Sequence, residues 1–458
     1  MGSATGTSIN IEQIIDDSKL GFSQILIIAL CGICLVMDGF DVQAMGYVAP
    51  SLIREWGVAK EVLSPVFGAG LFGMLVGSLT FSALADKIGR RPVLIGATLF
   101  FAVCMLITAY ANSIGQLIAC RFAAGLGLGC IMPNAMALAG EYSPRRSRVS
   151  IMMVVSCGFT LGGVVGGLIT AALIPSFGWR SVFVVGGVIP LAIAIIMWFR
   201  LPESIQFLVV KKADPSRIRK NLLRMAPDLQ LPADARFALH EVPKEQGVPF
   251  VALFRDGRAR VTLLLWLVNF TNLLDMYFLS NWLPTVMREA GYSASTAVLG
   301  GTMLWIGGVV GTLSLGRIID KVGFIPVLTG TFAMAIVSTA LIGNPVVAAS
   351  LAIIFLVIFL SGFAIVGGQP ALNALAATYY PTALRSTGIG WSLGVGRVGS
   401  VIGPVLGGYL MHLQWSQSQL FMAAAVPAMI SLAGIVAIRF ATGSSGYGKG
   451  AAKVVAQH

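Results

Sequence analysis

The chain has 458 residues, of which 56% are hydrophobic and 11% are charged, and its mean hydropathy is +0.85. Soluble domains carry about 25% charged residues, so this composition excludes a set of soluble domains and favours one bundle of membrane helices. The formal net charge of +12 does not indicate a nucleic-acid partner, because the basic residues fall in short segments between long apolar runs.

Twelve apolar segments are long enough to span a membrane, since about 20 such residues cross ~30 Å of hydrocarbon. They lie near 23–49, 62–84, 93–110, 116–140, 148–173, 181–200, 259–286, 294–315, 326–343, 345–368, 386–411 and 417–440. We therefore predict an N-terminal segment (1–22), a six-helix half (23–200), a central loop (201–258), a second six-helix half (259–440) and a tail (441–458). Within the central loop, Lys211 to Lys220 followed by two leucines predicts a basic, amphipathic surface helix.

The distribution of lysine and arginine predicts the orientation in the membrane. The loop after the second segment carries Lys87, Arg90 and Arg91, and the central loop is rich in both residues. The loops on the opposite side of the membrane carry few lysines and arginines. Both termini and the central loop are therefore expected in the cytoplasm, in a chain that we expect in a bacterial inner membrane.

The two halves of the chain repeat one another. Asp41 and Pro50 match Asp275 and Pro284 at a numbering offset of 234, and Asp86-Lys-Ile-Gly89 matches Asp320-Lys-Val-Gly323 at the same offset. Further along, Arg148 matches Arg385 at an offset of 237. This pattern indicates a duplicated six-helix unit with both copies in the same orientation, which is typical of transporters that alternate access to a central site.

The loop after the second segment, Asp86-Lys-Ile-Gly89-Arg90-Arg91, resembles the signature loop of the major facilitator superfamily, with Ser82 where a glycine is usual. The glycines of the fourth segment, from Arg121 onward, are also similar to that family. The fifth segment has the glycine spacing of the antiporter motif, with Gly163 in place of its proline, which weakens an exporter interpretation. The resemblance covers essentially the whole chain and implies an all-α fold of twelve membrane helices.

A narrower resemblance is carried by Asp38-Gly-Phe-Asp41 in the first segment and Leu201-Pro-Glu-Ser204 after the sixth. Both are similar to the aromatic acid:proton symporter family. Membership implies a symporter that imports a proton with a small aromatic carboxylate such as hydroxybenzoate or benzoate. It implies neither an enzyme nor a cofactor, and one twelve-helix chain should suffice as a monomer.

Ionisable side chains inside membrane segments are costly, so each is a candidate functional group. Asp38 and Asp41 are three residues apart and share one helix face, where both carboxylates cannot be ionised cheaply. In proton-coupled sugar porters of the superfamily, a helix-1 aspartate pairs with a helix-4 arginine, and Asp41 and Arg121 match those positions. We expect protonation of Asp41 to release Arg121; the alternative is a static ion pair.

Arg397 lies in the middle of the eleventh segment, and a guanidinium facing a cavity suits a substrate carboxylate. The alternatives are an ion pair with Asp275 and contact with a lipid headgroup. Amides, a phenol and aromatic rings in neighbouring segments could contact a substituted ring. The predicted substrate-binding residues are Arg397, Gln369, Asn373, Tyr277, Asn134, Phe40, Trp282 and Asp275.

Charged residues and glycines at the ends of the segments are expected to hold one conformation closed, as they do in the superfamily, rather than to bind substrate. They are Asp86, Gly89, Arg90, Arg91, Glu141, Asp320, Gly323 and Arg385. Simple positive-inside anchoring explains some loop arginines equally well.

Two other functions stay open from the sequence, and a third is disfavoured. The first is proton-coupled transport of a non-aromatic organic anion or sugar acid. The second is a sensor for aromatic acids that derives from a transporter. The third, a membrane enzyme, would need a cluster of catalytic or metal-binding side chains, and His240, His412 and His458 lie apart in loops or the tail. We therefore expect no metal.

Overall fold

A computed structural model describes residues 8–17, 20–211, 213–225, 236–238 and 250–443. Within these ranges, twelve helices are long and apolar enough to cross a membrane. They are α1 Phe22–Trp56, α2 Ser64–Ile88, α3 Arg90–Thr108, α4 Ile114–Glu141, α5 Arg145–Phe177, α6 Arg180–Arg200, α7 Ala259–Glu289, α8 Ala294–Val322, α9 Phe324–Ile342, α10 Leu351–Tyr379, α11 Thr382–His412 and α12 Gln417–Gly443. The predicted fold of twelve membrane helices is confirmed.

The remaining described elements are short. Four are helices, Ile11–Asp17, Ile205–Val210, Pro215–Met225 and Pro345–Ala348, and two are 3-10 turns, Lys60–Leu63 and Phe250–Phe254. Strand β1 (Ser8–Asn10) pairs in parallel with β2 (Arg236–Ala238), and Ser8 lies opposite Arg236. The surface helix predicted in the central loop is present at Pro215–Met225, and it buries Ile218, Leu222 and Met225.

The predicted bounds of the tenth span need correction. The sequence placed this span at 345–368, whereas α10 begins at Leu351 and continues to Tyr379. A separate turn of helix, Pro345–Ala348, precedes it. Gln369, Pro370 and Asn373 end the apolar run, but they do not end the helix. A hydropathy boundary therefore fell about three turns before the helix boundary.

The duplication is visible in the helix bounds. Helices α3 and α9 begin and end at the repeat offset of 234, and the first residues of α4 and α10 differ by the second offset, 237. The backbone follows the same repeat, because Gly89 and Gly323 both have positive φ, at 105° and 92°. Positive φ is accessible to glycine at little cost, which explains this residue at both helix junctions.

The chain packs into two compact units. Of the described residues, those within 1–42, 72–162 and 180–244 form unit 1, and those within 43–71, 163–179 and 245–458 form unit 2. The division cuts through α1, α2 and α5 rather than through the central loop. The two units therefore do not coincide with the two halves of the sequence repeat. The predicted domain boundaries at 23–200 and 259–440 stay a prediction.

Candidate functional site

A buried ion pair joins α1 to α4 within unit 1. Arg121 Nη1 lies 2.6 Å from Asp41 Oδ1, and Nη2 lies 2.6 Å from Oδ2. The aspartate side chain is 0% exposed and the arginine side chain is 5% exposed. Such a two-pronged, charge-assisted contact is among the strongest that side chains make. The structure therefore brings together the two residues that the resemblance paired, while their role in proton coupling stays a prediction.

Glycines position α1 so that Asp41 reaches its partner. A Cβ on Gly39 would lie 1.8 Å from the carbonyl oxygen of Phe159, and one on Gly162 would lie 2.1 Å from that of Val36. Any side chain at either position would force the backbones of α1 and α5 apart. The glycine spacing of the fifth segment therefore serves close packing against α1 in this structure.

A second acidic side chain lies next to the Asp41–Arg121 pair. Asp38 lies one turn before Asp41 and is 1% exposed, so two carboxyl groups and one guanidinium share a region of low dielectric. Protonation of Asp41 would remove the counter-charge of Arg121. The arginine would then need another anion or water, because a buried charge without a partner is strongly destabilising.

Unit 2 contains a network of side-chain amides that spans α7, α10 and α11. Asn272 Nδ2 donates to Gln369 Oε1 at 2.7 Å, and Gln369 Nε2 donates to Asn269 Oδ1 at 2.8 Å and to Asn373 Oδ1 at 3.3 Å. Asn269 Nδ2 donates to Ser392 Oγ at 2.8 Å. The predicted substrate residues Gln369 and Asn373 therefore belong to one network, which holds three helices together and leaves Gln369 half-buried.

Arg397 and Asp275 do not form the ion pair that the sequence left open. Arg397 is half-buried on α11, and among the described residues its guanidinium has no hydrogen bond or acidic partner. Asp275 is 1% exposed on α7, and neither of its carboxylate oxygens has a hydrogen-bond partner in the described part of the chain. A role for Arg397 in binding an anion stays a prediction.

The other predicted substrate residues have local contacts. Asn134 is buried and donates to the carbonyl of Cys130 at 2.7 Å. Phe40 packs against Gly186, where an added Cβ would lie 2.7 Å from its ring. Trp282 is fully buried and donates from Nε1 to Pro404 O at 2.9 Å. Tyr277 is buried on α7. A substrate contact for these four residues stays a prediction.

The ends of α3 and α4 meet the segment after α6 in a charged cluster within unit 1. Arg90 Nη1 pairs with Glu141 Oε1, and Ser204 Oγ hydrogen bonds Glu141 Oε2. Arg91 Nε donates to the carbonyl of Leu201 at 2.7 Å. The cluster ties three segments together, which suits the predicted conformational role.

The remaining predicted conformational residues are less informative. Asp320 and Arg385 are exposed, and Gly323 has the positive φ already noted. The side chain of Asp86 lies outside the described residues.

Two candidate residues escaped the sequence analysis. Glu203 Oε1 accepts hydrogen bonds from the backbone N–H of Arg90 at 2.9 Å and of Arg91 at 3.1 Å, so it caps α3 from a distant part of the chain. Only its place in the Leu201–Ser204 motif signalled a role. Gln43 is 1% exposed, and neither its amide nitrogen nor its oxygen has a partner among the described residues. The offset of 234 from Tyr277 could have identified Gln43.

Known proteins resemble the chain over nearly its full length. The model of the Major Facilitator Superfamily matches residues 31–345 and again 265–453. The 4-hydroxybenzoate transporter PcaK of Pseudomonas putida is 38% identical over 94% of this chain and 96% of the relative. A gallate transporter of the same species is 35% identical, covering 94% and 95% of the two chains. The benzoate transport protein of Acinetobacter baylyi is 33% identical, covering 93% and 91%.

A solved structure agrees on the fold. A bacterial homologue of the human lysosomal transporter Spinster superposes with a TM-score of 0.67 and 18% identity, covering 92% of this chain and 96% of that one. At this identity the likeness concerns the fold alone. The family model, the curated relatives and the twelve spans identify an integral membrane transporter rather than an enzyme. The chain belongs to the major facilitator superfamily and, within it, to the aromatic acid:proton symporter family.

Proposed function

We propose that the protein imports a small aromatic carboxylate, of the hydroxybenzoate or benzoate type, together with protons. The observation that carries this proposal is the buried Asp41–Arg121 pair. A carboxylate that exchanges its arginine for a proton is a chemical link between proton binding and a change of conformation.

The balance of charge at the pair supports a link between proton binding at Asp41 and a change of conformation. With Asp41 ionised, the two charges compensate each other in a buried site. With Asp41 protonated, Arg121 loses that compensation, so a different arrangement of α1 and α4 becomes favourable. The proton gradient can thereby drive a conformational step.

The choice of substrate is supported by Arg397 and by the relatives. A half-buried guanidinium without an acidic partner among the described residues suits a carboxylate, which it can bind through two parallel hydrogen bonds. The named substrates of the curated relatives are 4-hydroxybenzoate, gallate and benzoate, all aromatic carboxylates. The amide network around Gln369 offers groups of the kind that would hydrogen bond a ring hydroxyl.

The proposal also includes the membrane in which the protein lies and its orientation there. The basic loops predict cytoplasmic termini. We propose a bacterial inner membrane, where a proton gradient is directed inward. A single chain contains twelve spans, so we propose a functional monomer.

The test is uptake of radiolabelled 4-hydroxybenzoate and benzoate into proteoliposomes, with and without a pH gradient that is acidic outside. We expect the gradient to drive accumulation by the wild type. Asp41→Asn, which mimics the protonated acid, should abolish accumulation but retain exchange of internal for external substrate, because exchange requires no net release of protons.

Asp256→Asn is the matched control, since Asp256 is an exposed acid outside the membrane spans whose partner is Arg258. This control should behave as the wild type. Uptake that ignores the pH gradient would overturn proton coupling. Accumulation of a sugar acid or an aliphatic anion instead of both aromatic acids would support the alternative substrate class.

A further inference from the structure

Each half of the repeat has a buried acid in its first helix, but the residue at the position of its partner differs between the halves. The offset of 234 pairs Asp41 with Asp275 on α7. On α4 and α10 the offset is 237, so Arg121 corresponds to Ile358. Ile358 is completely buried. The second half of the chain therefore keeps the acid and replaces its basic partner with a hydrocarbon side chain.

Nothing else in the described structure compensates Asp275. Both carboxylate oxygens are buried and have no hydrogen-bond partner there. Asp275 makes no hydrogen bond or ion pair with Arg397, Tyr47, Tyr277 or any other ionisable side chain among the described residues. An ionised carboxylate without a compensating partner is strongly disfavoured in such a setting.

The protonated form of Asp275 also lacks hydrogen-bond partners among the described residues in this conformation. A neutral carboxyl group has one O–H donor and a carbonyl acceptor, and the described residues supply a partner for neither. Burial without hydrogen bonds is costly and rare in native proteins, and it needs a functional reason. A second conformation in which Asp275 contacts water or a polar group would remove this cost, and water would also allow the proton to leave.

We propose that Asp275 is a second proton-carrying group of the transport cycle, beside Asp41. On the acidic side its carboxylate takes one proton from hydronium and becomes a neutral carboxyl group. It crosses the occluded state in that form, and it returns the proton to water when the site opens to the other side. The inference rests on the proposed proton symport.

A second proton would make each transport cycle move a net charge across the membrane. A substrate carboxylate of charge −1 that moves with one proton is electroneutral, whereas the same anion with two protons carries +1 across the membrane. One charge in a membrane potential gains about 2.3 kcal/mol per 100 mV, which corresponds to about tenfold in accumulation for each ~60 mV.

The experiment imposes a potassium diffusion potential, negative inside, on proteoliposomes at equal pH on both sides, and follows radiolabelled 4-hydroxybenzoate. We expect wild-type accumulation to rise about tenfold for each ~60 mV. Asp275→Asn should lose this response, so the ratio of its potential-driven to its pH-driven accumulation should fall well below the wild-type ratio. Asp256→Asn should keep both responses. Exchange of substrate, which needs no net proton movement, verifies that Asp275→Asn is folded.

Wild-type uptake that responds to the pH gradient but not to the potential would overturn the second proton and leave the proposed symport intact. A potential response that survives in Asp275→Asn would also overturn it. If Asp275→Asn fails in exchange, Asp275→Glu, which keeps a titratable group, must retain the potential response. Absence of any response to the pH gradient in the wild type would instead refute the proposed symport itself.

Discussion

At the scale of single residues, mutation can separate the stabilising contact of the Asp41–Arg121 pair from its proposed role in proton coupling. Both side chains are buried, so removal of one leaves an uncompensated charge in the bundle. Arg121→Gln should lower the free energy of unfolding by about 3–5 kcal/mol, measured by thermal unfolding in detergent. Asp41→Asn combined with Arg121→Gln should recover most of that loss, because no charge is then left unpaired.

The double variant should still fail to accumulate substrate, since it lacks both the titratable acid and its partner. A double variant as unstable as Arg121→Gln alone would show that the arginine stabilises the fold through packing rather than through charge compensation. Accumulation at the wild-type level would show that the pair is a static structural contact.

Arg397 gives a second prediction at this scale. Loss of a charge-assisted contact costs about 1.5–3 kcal/mol, so Arg397→Gln should raise KM for 4-hydroxybenzoate by roughly 10- to 100-fold. Arg397→Lys retains the charge without the two parallel donors and should give an intermediate KM. The measurement is initial uptake across a range of substrate concentrations. An unchanged KM in Arg397→Gln would exclude contact with the carboxylate.

At the scale of helices, the cap on α3 joins this helix to the segment that follows the sixth span. Gly89 has positive φ, and a Cβ there would lie 2.3 Å from Glu203 Oε2. Gly323 is its repeat counterpart, with φ of 92° and, among the described residues, no atom within 4 Å of an added Cβ. The pair of glycines therefore separates backbone strain from loss of the cap.

Gly323→Ala should cost about 1–2 kcal/mol of stability, because alanine disfavours positive φ. Gly89→Ala should cost about 1–3 kcal/mol more, since the methyl group displaces the Glu203 carboxylate from the backbone N–H groups that it caps. Thermal unfolding of the two purified variants in detergent gives the comparison. Equal losses of stability would mean that Glu203 shifts aside without cost.

Sequence patterns predicted the spans and the repeat, because hydropathy, charge and spacing are local properties of the chain. The Asp41–Arg121 contact was predicted from the resemblance to proton-coupled sugar porters. The sequence patterns did not predict the true length of α10, since backbone hydrogen bonds carry a helix past polar residues such as Gln369 and Asn373. They also missed the cap by Glu203, which depends on packing between segments 113 residues apart. The lack of a hydrogen-bond partner for the carboxyl group of Asp275 among the described residues could be recognised only from its neighbours in space.

At the scale of the whole chain, unit 2 holds parts of α1, α2 and α5 together with the second half of the sequence. Tyr47 Oη donates to Gly163 O at 2.8 Å, and Ser295 Oγ donates to Ala171 O at 3.1 Å. Beyond α1, Lys60 Nζ lies 2.7 Å from Glu289 Oε1. The last two contacts join the two halves of the sequence, and alternating access by rocking of these halves requires such contacts to break in each cycle.

The Lys60–Glu289 pair should therefore adjust the balance between conformations. Its side chains are 27% and 36% exposed, and ion pairs at such positions contribute about 0.2–1 kcal/mol. Lys60→Glu replaces this attraction by repulsion, so the conformation that contains the pair should lose population by roughly 1.4- to 5-fold from the lost attraction alone. KM and the maximal uptake rate should change together. The charge swap Lys60→Glu with Glu289→Lys should restore both values, because it re-forms the pair in the opposite direction. A swap no better than Lys60→Glu alone would show that this conformation is held by less exposed contacts such as Ser295 to Ala171, and that the surface pair has no part in the equilibrium.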